Sequence, residues 1–216
     1  QYNSFNSIGW LNNIEKKYKK KIDIVFGDIR DRENLENAMK NSDYVFHLAA
    51  LIAIPYSYKS PQSYIETNIN GTLNVIQLAQ KNRIKKIIHT STSEVYGTAQ
   101  TVPIKENHPL VGQSPYAASK IGADQVAISM SKSLGAPIII VRPFNTFGPR
   151  QSLRAVIPTI ISQFALKKKN IVIGNLNTSR DFNFVEDTCS GFICAMKSKF
   201  NSAEVFNLSS GKDYKI

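Results

Sequence analysis

The run Ile138-Ile139-Ile140-Val141 is the feature that most limits what this chain can fold into. A strand with one wet face alternates apolar and polar residues, whereas consecutive branched apolar residues fit a strand covered on both faces. Strand-like runs recur at residues 22–26, 44–50, 84–89 and 137–141. Stretches with helical spacing separate them. Residues 32–40 put Leu35 and Met39 on one face, and residues 62–81 carry the stripe Ile65, Ile69, Leu73, Ile76 and Leu78. Residues 116–134 form another long helical pattern. Strands alternating with helices of this length predict βαβ units and a parallel sheet, and right-handed crossovers place helices on both faces of it. The expected fold class is therefore α/β, a doubly wound parallel sheet.

Beyond Arg142-Pro143 the pattern loosens. Residues 157–166 and 188–197 read as helices, and 171–173 and 205–208 as short strands. We expect one domain over residues 1–148, and a mixed segment over 149–216 that serves a smaller lobe as well as the sheet. The chain begins at Gln1 and ends at Ile216 in what reads as a strand start, so a longer parent protein is expected.

Composition excludes several classes. With 42% hydrophobic and 20% charged residues, the 216-residue chain resembles neither a disordered nor a fibrous protein. No apolar run approaches the roughly 18–20 residues that span a bilayer. No signal peptide opens the chain, so a cytoplasmic setting is expected. Cys189 and Cys194 read as packing residues of one helix. The net charge of +11 is concentrated at residues 16–21 and otherwise scattered. With few interleaved aromatics, it reads as a solvated helix end rather than a nucleic-acid surface. We therefore expect no nucleic-acid partner, no membrane partner and no metal.

Chemistry is concentrated in two places. In Tyr116-Ala117-Ala118-Ser119-Lys120 the tyrosine and lysine lie four residues apart, on one helix face. A nearby ammonium favours phenolate and is expected to lower the tyrosine's pKa. The second place is Thr90-Ser91-Thr92-Ser93-Glu94, at the carboxyl end of a parallel strand, where open α/β sheets bind ligands. Thr92 can hold a substrate oxygen, Tyr116 can take its proton, and Glu94 can act as a base. His47, His89 and His108 read as structural.

With these residues in place, the chain resembles the extended short-chain dehydrogenase/reductases that act on nucleotide sugars, the NAD-dependent epimerase/dehydratase group. Further blocks carry the resemblance: Gly27-Asp28-Ile29, Phe46-His47-Leu48-Ala49-Ala50 and Asn68-Ile69-Asn70-Gly71-Thr72. Arg142-Pro143-Phe144-Asn145 through Arg150 and Arg180-Asp181-Phe182-Asn183 continue the series. A narrower likeness, to NDP-N-acetylglucosamine 4,6-dehydratases of the legionaminic acid type, rests on Tyr2–Ser7, Ala53–Tyr58 and Gly148–Ser152.

The resemblance implies a Rossmann-like domain, the cofactor NAD, a nucleotide-sugar substrate and a homodimer formed through the two long helices. It implies a catalytic set of Thr92, Ser93, Glu94, Tyr116 and Lys120. Asn3, Asp28, Ile29, Leu48, Ala49, Ala50, Asn68 and Pro143 would join Tyr116 and Lys120 at the cofactor. Thr92, Asn145 and Arg180 would bind substrate. Taken singly, Asp28 reads as a turn residue, Asn68 as a helix residue bonded to backbone, and Arg180 as the partner of Asp181 or Glu186. Two departures stand out. The family's glycine-rich loop after the first strand has no counterpart in these residues. Ser93-Glu94 stands where familiar sugar 4,6-dehydratases carry Asp-Glu, an order shared with sequences resembling UDP-glucuronate decarboxylases.

Overall fold

The computed structural model describes residues 8–200 and 202–216. Its centre is a four-stranded parallel sheet of order β1-β2-β3-β7, formed by β1 (Tyr44–His47), β2 (Lys86–Thr90), β3 (Ile138–Pro143) and β7 (Ser202–Leu208). Tyr44 pairs with Lys86, Ile87 with Ile138, and Val141 with Phe206. Helix α1 (Arg32–Met39) precedes β1, α2 (Gly71–Lys81) joins β1 to β2, and α3 (Pro115–Leu134) joins β2 to β3.

The isoleucine run behaves as its composition requires. Ile138 and Ile140 point to one face, packed with Met39, Ile76, Leu78 and Ala127 from the three helices. Ile139 and Val141 point to the other, against Phe192 and Ala195 of α5 (Val185–Lys197). The sheet is thus covered on both sides, as expected. A small second unit follows β3. There β4 (Asn145–Phe147) pairs in parallel with β6 (Phe182–Phe184), and β5 (Ser179–Arg180) pairs antiparallel with β8 (Tyr214–Lys215). Helix α4 (Val156–Ala165) lies between them in sequence.

Local signals set the helix ends. Ser114 accepts from the Ala117 N–H at 3.0 Å and Pro115 follows it, the usual start of a helix. Gly135, left-handed at φ 67°, ends the same helix with its N–H on the carbonyls of Met130 and Ser131.

Several expectations are corrected. Residues 22–26 carry no strand ladder among the described residues; the Phe26 carbonyl accepts from Asn34 Nδ2 at 3.2 Å, and Val25 is 54% exposed. Residues 171–173 likewise lack a ladder. The strand expected over 44–50 ends at His47, where the chain turns away from β2. The long helix expected over 62–81 contains a π turn, Ile65–Asn70. Cys189 and Cys194 are exposed free thiols rather than packing residues. Ala79 and Ala123, on the two long helices, are buried within the subunit.

One buried cation closes the far face. Lys86 Nζ donates to the Met196 carbonyl at 3.0 Å and to that of Ser198, at the end of α5. Lys86→Met would leave both carbonyls without a donor, which costs about 1–3 kcal/mol. Urea unfolding should show a lower midpoint at unchanged slope.

Candidate active site

Thr92, Ser93 and Glu94 follow β2 with Ser91 between. Thr92 caps the short turn Ser93–Tyr96, its Oγ1 accepting from the Glu94 N–H at 3.2 Å. Gly97 ends that turn at φ 65°, and a Cβ there would lie 2.6 Å from the Val111 carbonyl oxygen, so a side chain is excluded. Tyr116 enters from the first turn of α3, with the Tyr64 ring edge-on at 6.3 Å. The chain therefore brings a strand end and a helix start to one point, as expected for an open α/β sheet.

These groups open onto a cavity of about 750 Å³. Thr92, Ser93, Glu94 and Tyr116 line one part of it; Pro143, Phe144 and Asn145, at the end of β3, line another. Arg154 and Lys59 also reach it, as does Gln151, whose Oε1 is buried without a partner. The sequence reading had not placed Lys59 or Gln151 at the site.

Lys120 lies one turn behind Tyr116 and is buried. Its Nζ donates to the Thr90 carbonyl at 2.7 Å. Burial pushes the Lys120 ammonium down to about 8, opposed by the charge of Asp124. Burial likewise drives Tyr116 up to about 12, opposed by the Thr92 hydroxyl and reinforced by the charge of Glu94. This corrects the expectation of a lowered tyrosine: the cost of burying a phenolate wins.

The remaining sequence candidates are dispersed. Asn68 is buried; its Oδ1 accepts from the Leu51 N–H at 2.8 Å, and its Nδ2 donates to the Leu51 carbonyl and to Ser119 Oγ, both at 2.9 Å. It clamps the segment after β1 onto α3, so its contribution is to shape the site. Leu48 and Ala49 stand exposed at the carboxyl end of β1, with Ala50 half-buried. Asp28 is held by Arg30 in a two-pronged ion pair, 3.0 Å at Nε and 2.7 Å at Nη2, which lowers its carboxyl. The Ile29 side chain packs over Gly71. Asn145 Nδ2 donates to the Asp181 carbonyl at 3.3 Å. Arg180 is exposed on β5, away from the cavity lining, and its Nη1 donates to the Ser179 carbonyl at 2.8 Å, not to Asp181 or Glu186. Asn3 falls outside the described residues. No cluster of metal-ligating side chains occurs among the described residues.

The sequence reading missed Asp124. It follows Lys120 by four residues on α3 and is fully buried. Its carboxylate accepts from Ser91 Oγ at 2.8 Å, from Arg142 Nε at 3.1 Å and Nη2 at 3.0 Å, and from His89 Nε2 at 3.2 Å. The helical spacing that marked Tyr116 and Lys120 also marks Asp124.

The buried lysine predicts a pH dependence of stability. Its folded value of about 8 lies below the ordinary 10.5, so the unfolded chain binds the proton more tightly. Its penalty is therefore full below pH 8 and is relieved as pH rises toward 10.5. Between pH 8 and 10 the urea midpoint should rise more steeply for the unaltered protein than for Lys120→Met, by an amount on the order of 3 kcal/mol across the full interval.

Comparison with known proteins identifies relatives of the whole chain. The family model described as GDP-mannose 4,6 dehydratase matches residues 1–216. A dTDP-glucose 4,6-dehydratase of Actinoplanes sp. is 32% identical over 204 residues, covering 94% of this chain and 63% of the relative. Among solved structures, a UDP-N-acetylglucosamine 4-epimerase from Methanobrevibacter ruminantium M1, in complex with UDP-N-acetylmuramic acid, superposes with a TM-score of 0.88 at 35% identity. That match covers 97% of this chain and 68% of the epimerase. DesIV, a dTDP-glucose 4,6-dehydratase from Streptomyces venezuelae solved as a double mutant with NAD bound, gives 0.81 at 28% identity, covering 88% of this chain and 58% of its own. The chain spans less than two thirds of that Actinoplanes relative's length. It belongs to the GDP-mannose 4,6 dehydratase family, within the NAD-dependent nucleotide-sugar dehydratases and epimerases.

Proposed function

We propose that this chain carries the catalytic centre of an NAD-dependent NDP-sugar 4,6-dehydratase acting on an NDP-N-acetylglucosamine. One observation supports the reading above others: the Glu94 carboxylate opens to the same cavity as the Tyr116 phenol, with Thr92 beside them. Epimerisation at carbon 4 requires no carboxylate base there, whereas elimination across carbons 5 and 6 does.

The residues present fit the cofactor. A phenol and a cation, Tyr116 and Lys120, suit ribose hydroxyls, and Leu48, Ala49, Ala50 and Pro143 offer small or apolar surface to a flat ring. Asp28, Ile29 and Asn3 are assigned to the adenosine end. When bound, NAD supplies the acceptor and later the donor of a hydride. Thr92 holds the sugar 4-hydroxyl while Tyr116, as phenolate, takes its proton, with the Lys120 charge favouring that phenolate. The ketone formed at carbon 4 acidifies the proton on carbon 5, which Glu94 takes. Ser93, too weak an acid to act directly, passes a proton through water to the hydroxyl that leaves carbon 6. Asn145 meets the sugar or its diphosphate, and Arg180 meets a nucleotide phosphate carried past the rim, a role suited to its guanidinium fork. Asn68 acts through the Leu51 backbone.

The segment over 1–148 serves the cofactor, and that over 149–216 serves the substrate and the sheet. We assign a homodimer through the long helices and a cytoplasmic setting; no helix among the described residues is long and apolar enough to cross a membrane. A second reading, 4-epimerisation, is favoured by Ser93, which stands where an elimination would use a stronger acid.

Two substitutions in the full-length protein separate the readings. Tyr116→Phe should abolish oxidation at carbon 4. Glu94→Gln should oxidise carbon 4 in a single turnover, seen as reduced-nicotinamide absorbance, and then stall, with overall turnover about 100- to 10,000-fold lower. Mass spectrometry of the product should show loss of one water. An unchanged mass together with near-normal turnover of Glu94→Gln would establish the epimerase instead.

A further inference from the structure

Behind the cavity lies a buried charge cluster that the proposed reaction does not use directly. Asp124 on α3 is the carboxylate at its centre, and Arg142 on β3 grips it through Nε and Nη2. Ser91 and His89, from β2 and the residue following it, complete the shell. An arginine of this kind balances one carboxylate by itself. Yet Lys120, one helical turn from Asp124, is a second buried cation, and its ammonium donates to a neutral backbone carbonyl, that of Thr90. Two buried cations thus share one buried carboxylate.

The other groups facing the cluster do not alter this balance. His89 directs Nε2–H at Asp124, leaving Nδ1 buried and without a partner, as in a neutral ring. His47 stacks on it with ring centroids 5.5 Å apart. Its Nε2 donates to Thr72 Oγ1, since the Thr72 hydroxyl proton is spent on the Asn68 carbonyl. Burial holds both histidines neutral. Tyr96 accepts from Arg142 Nη1 at 2.9 Å and donates to Asn207 Oδ1 at 2.7 Å. The Glu106 carboxylate is taken by the Asn207 N–H, and only its backbone carbonyl reaches Arg142. Glu94 lies on the cavity side, with Tyr116.

We propose that Asp124 is a positioning residue for the reaction: its carboxylate is the counter-charge that keeps the Lys120 side chain an ammonium, and through Lys120 it governs the proton on Tyr116. Tyr116, Lys120 and Asp124 recur at four-residue intervals on one face of α3, so a single helix carries the proton acceptor, the cation behind it and the anion behind that. Burial of Asp124 opposes its ionisation, but the His89 N–H and the charges of Arg142 and Lys120 outweigh it, and the carboxyl stays below its ordinary range. At Lys120, Asp124 is the charge that opposes burial.

This inference rests on the reading of Tyr116 and Lys120 as a proton-handling pair, and its test separates the two. In full-length protein labelled at lysine Nζ and aspartate Cγ, NMR should show Lys120 titrating near pH 8 and the Asp124 Cγ signal moving with the same midpoint. An Asp124 signal that stays fixed through the Lys120 transition overturns the proposal. The double variant Asp124→Asn with Arg142→Met removes the charge pair without stranding the guanidinium. In it the Lys120 midpoint should fall by about one pH unit or more, a tenfold or greater loss in proton affinity. An unchanged midpoint leaves Asp124 as a clasp for Arg142 alone and overturns the proposal. Since activity needs the ammonium, the high-pH fall in kcat should move to lower pH with the Lys120 midpoint. A midpoint that moves without the kcat limb upholds the counter-charge and refutes the proton-handling role of Lys120.

Discussion

One carboxylate holds helix α3 to the sheet. Asp124 on α3 takes hydrogen bonds from His89 and Ser91 at the end of β2 and from Arg142 on β3, all out of reach of water. Breaking such a pair by removing one partner leaves an uncompensated buried charge, which costs about 3–5 kcal/mol. The cluster fixes the depth and rotation of α3 against the strand ends. Since α3 also carries Tyr116 and Lys120, the position of the phenol relative to Thr92 and Glu94 depends on that anchor.

A second clamp works from the other side. The π turn Ile65–Asn70 swings Asn68 inward, where its amide closes a two-way bond with the Leu51 backbone and a third bond with Ser119 on α3. Turns of this kind inside helices accompany functional sites because the extra residue re-aims a side chain. Here the re-aimed group joins the chain leaving β1 to the helix bearing Tyr116. The cavity wall from Ile52 to Tyr56 and the wall at Tyr116 are thus held in one frame.

Tyr116 and Lys120 bear the cost of that frame. Burial pushes Tyr116 toward its neutral form and Lys120 toward its own. Thr92 and Asp124 resist from opposite ends, one by hydrogen bonding and the other by charge. A site so arranged keeps its phenol neutral and leaves charged and polar groups nearby that can change that balance.

Much of this was legible in the residues. The unbroken apolar run 138–141 requires a strand covered on both faces, and the spacing of Tyr116 and Lys120 puts them on one side of a helix; neither inference needs a partner from elsewhere in the chain. The same local logic placed Thr92, Ser93 and Glu94 at a strand end. It failed wherever the outcome depends on what lies across the sheet. Residues 22–26 have the composition of a strand but no neighbour among the described residues to complete a ladder. Cys189 and Cys194 have the character of core residues but are exposed on α5. The pKa of Tyr116 depends on how deeply it is buried, which spacing does not encode. Asp124 shared the spacing of Lys120, yet its importance comes from Arg142, His89 and Ser91, which only folding brings within 3.2 Å of it. Periodicity is a property of the chain itself, whereas burial and charge balance are set by the neighbours that the fold supplies.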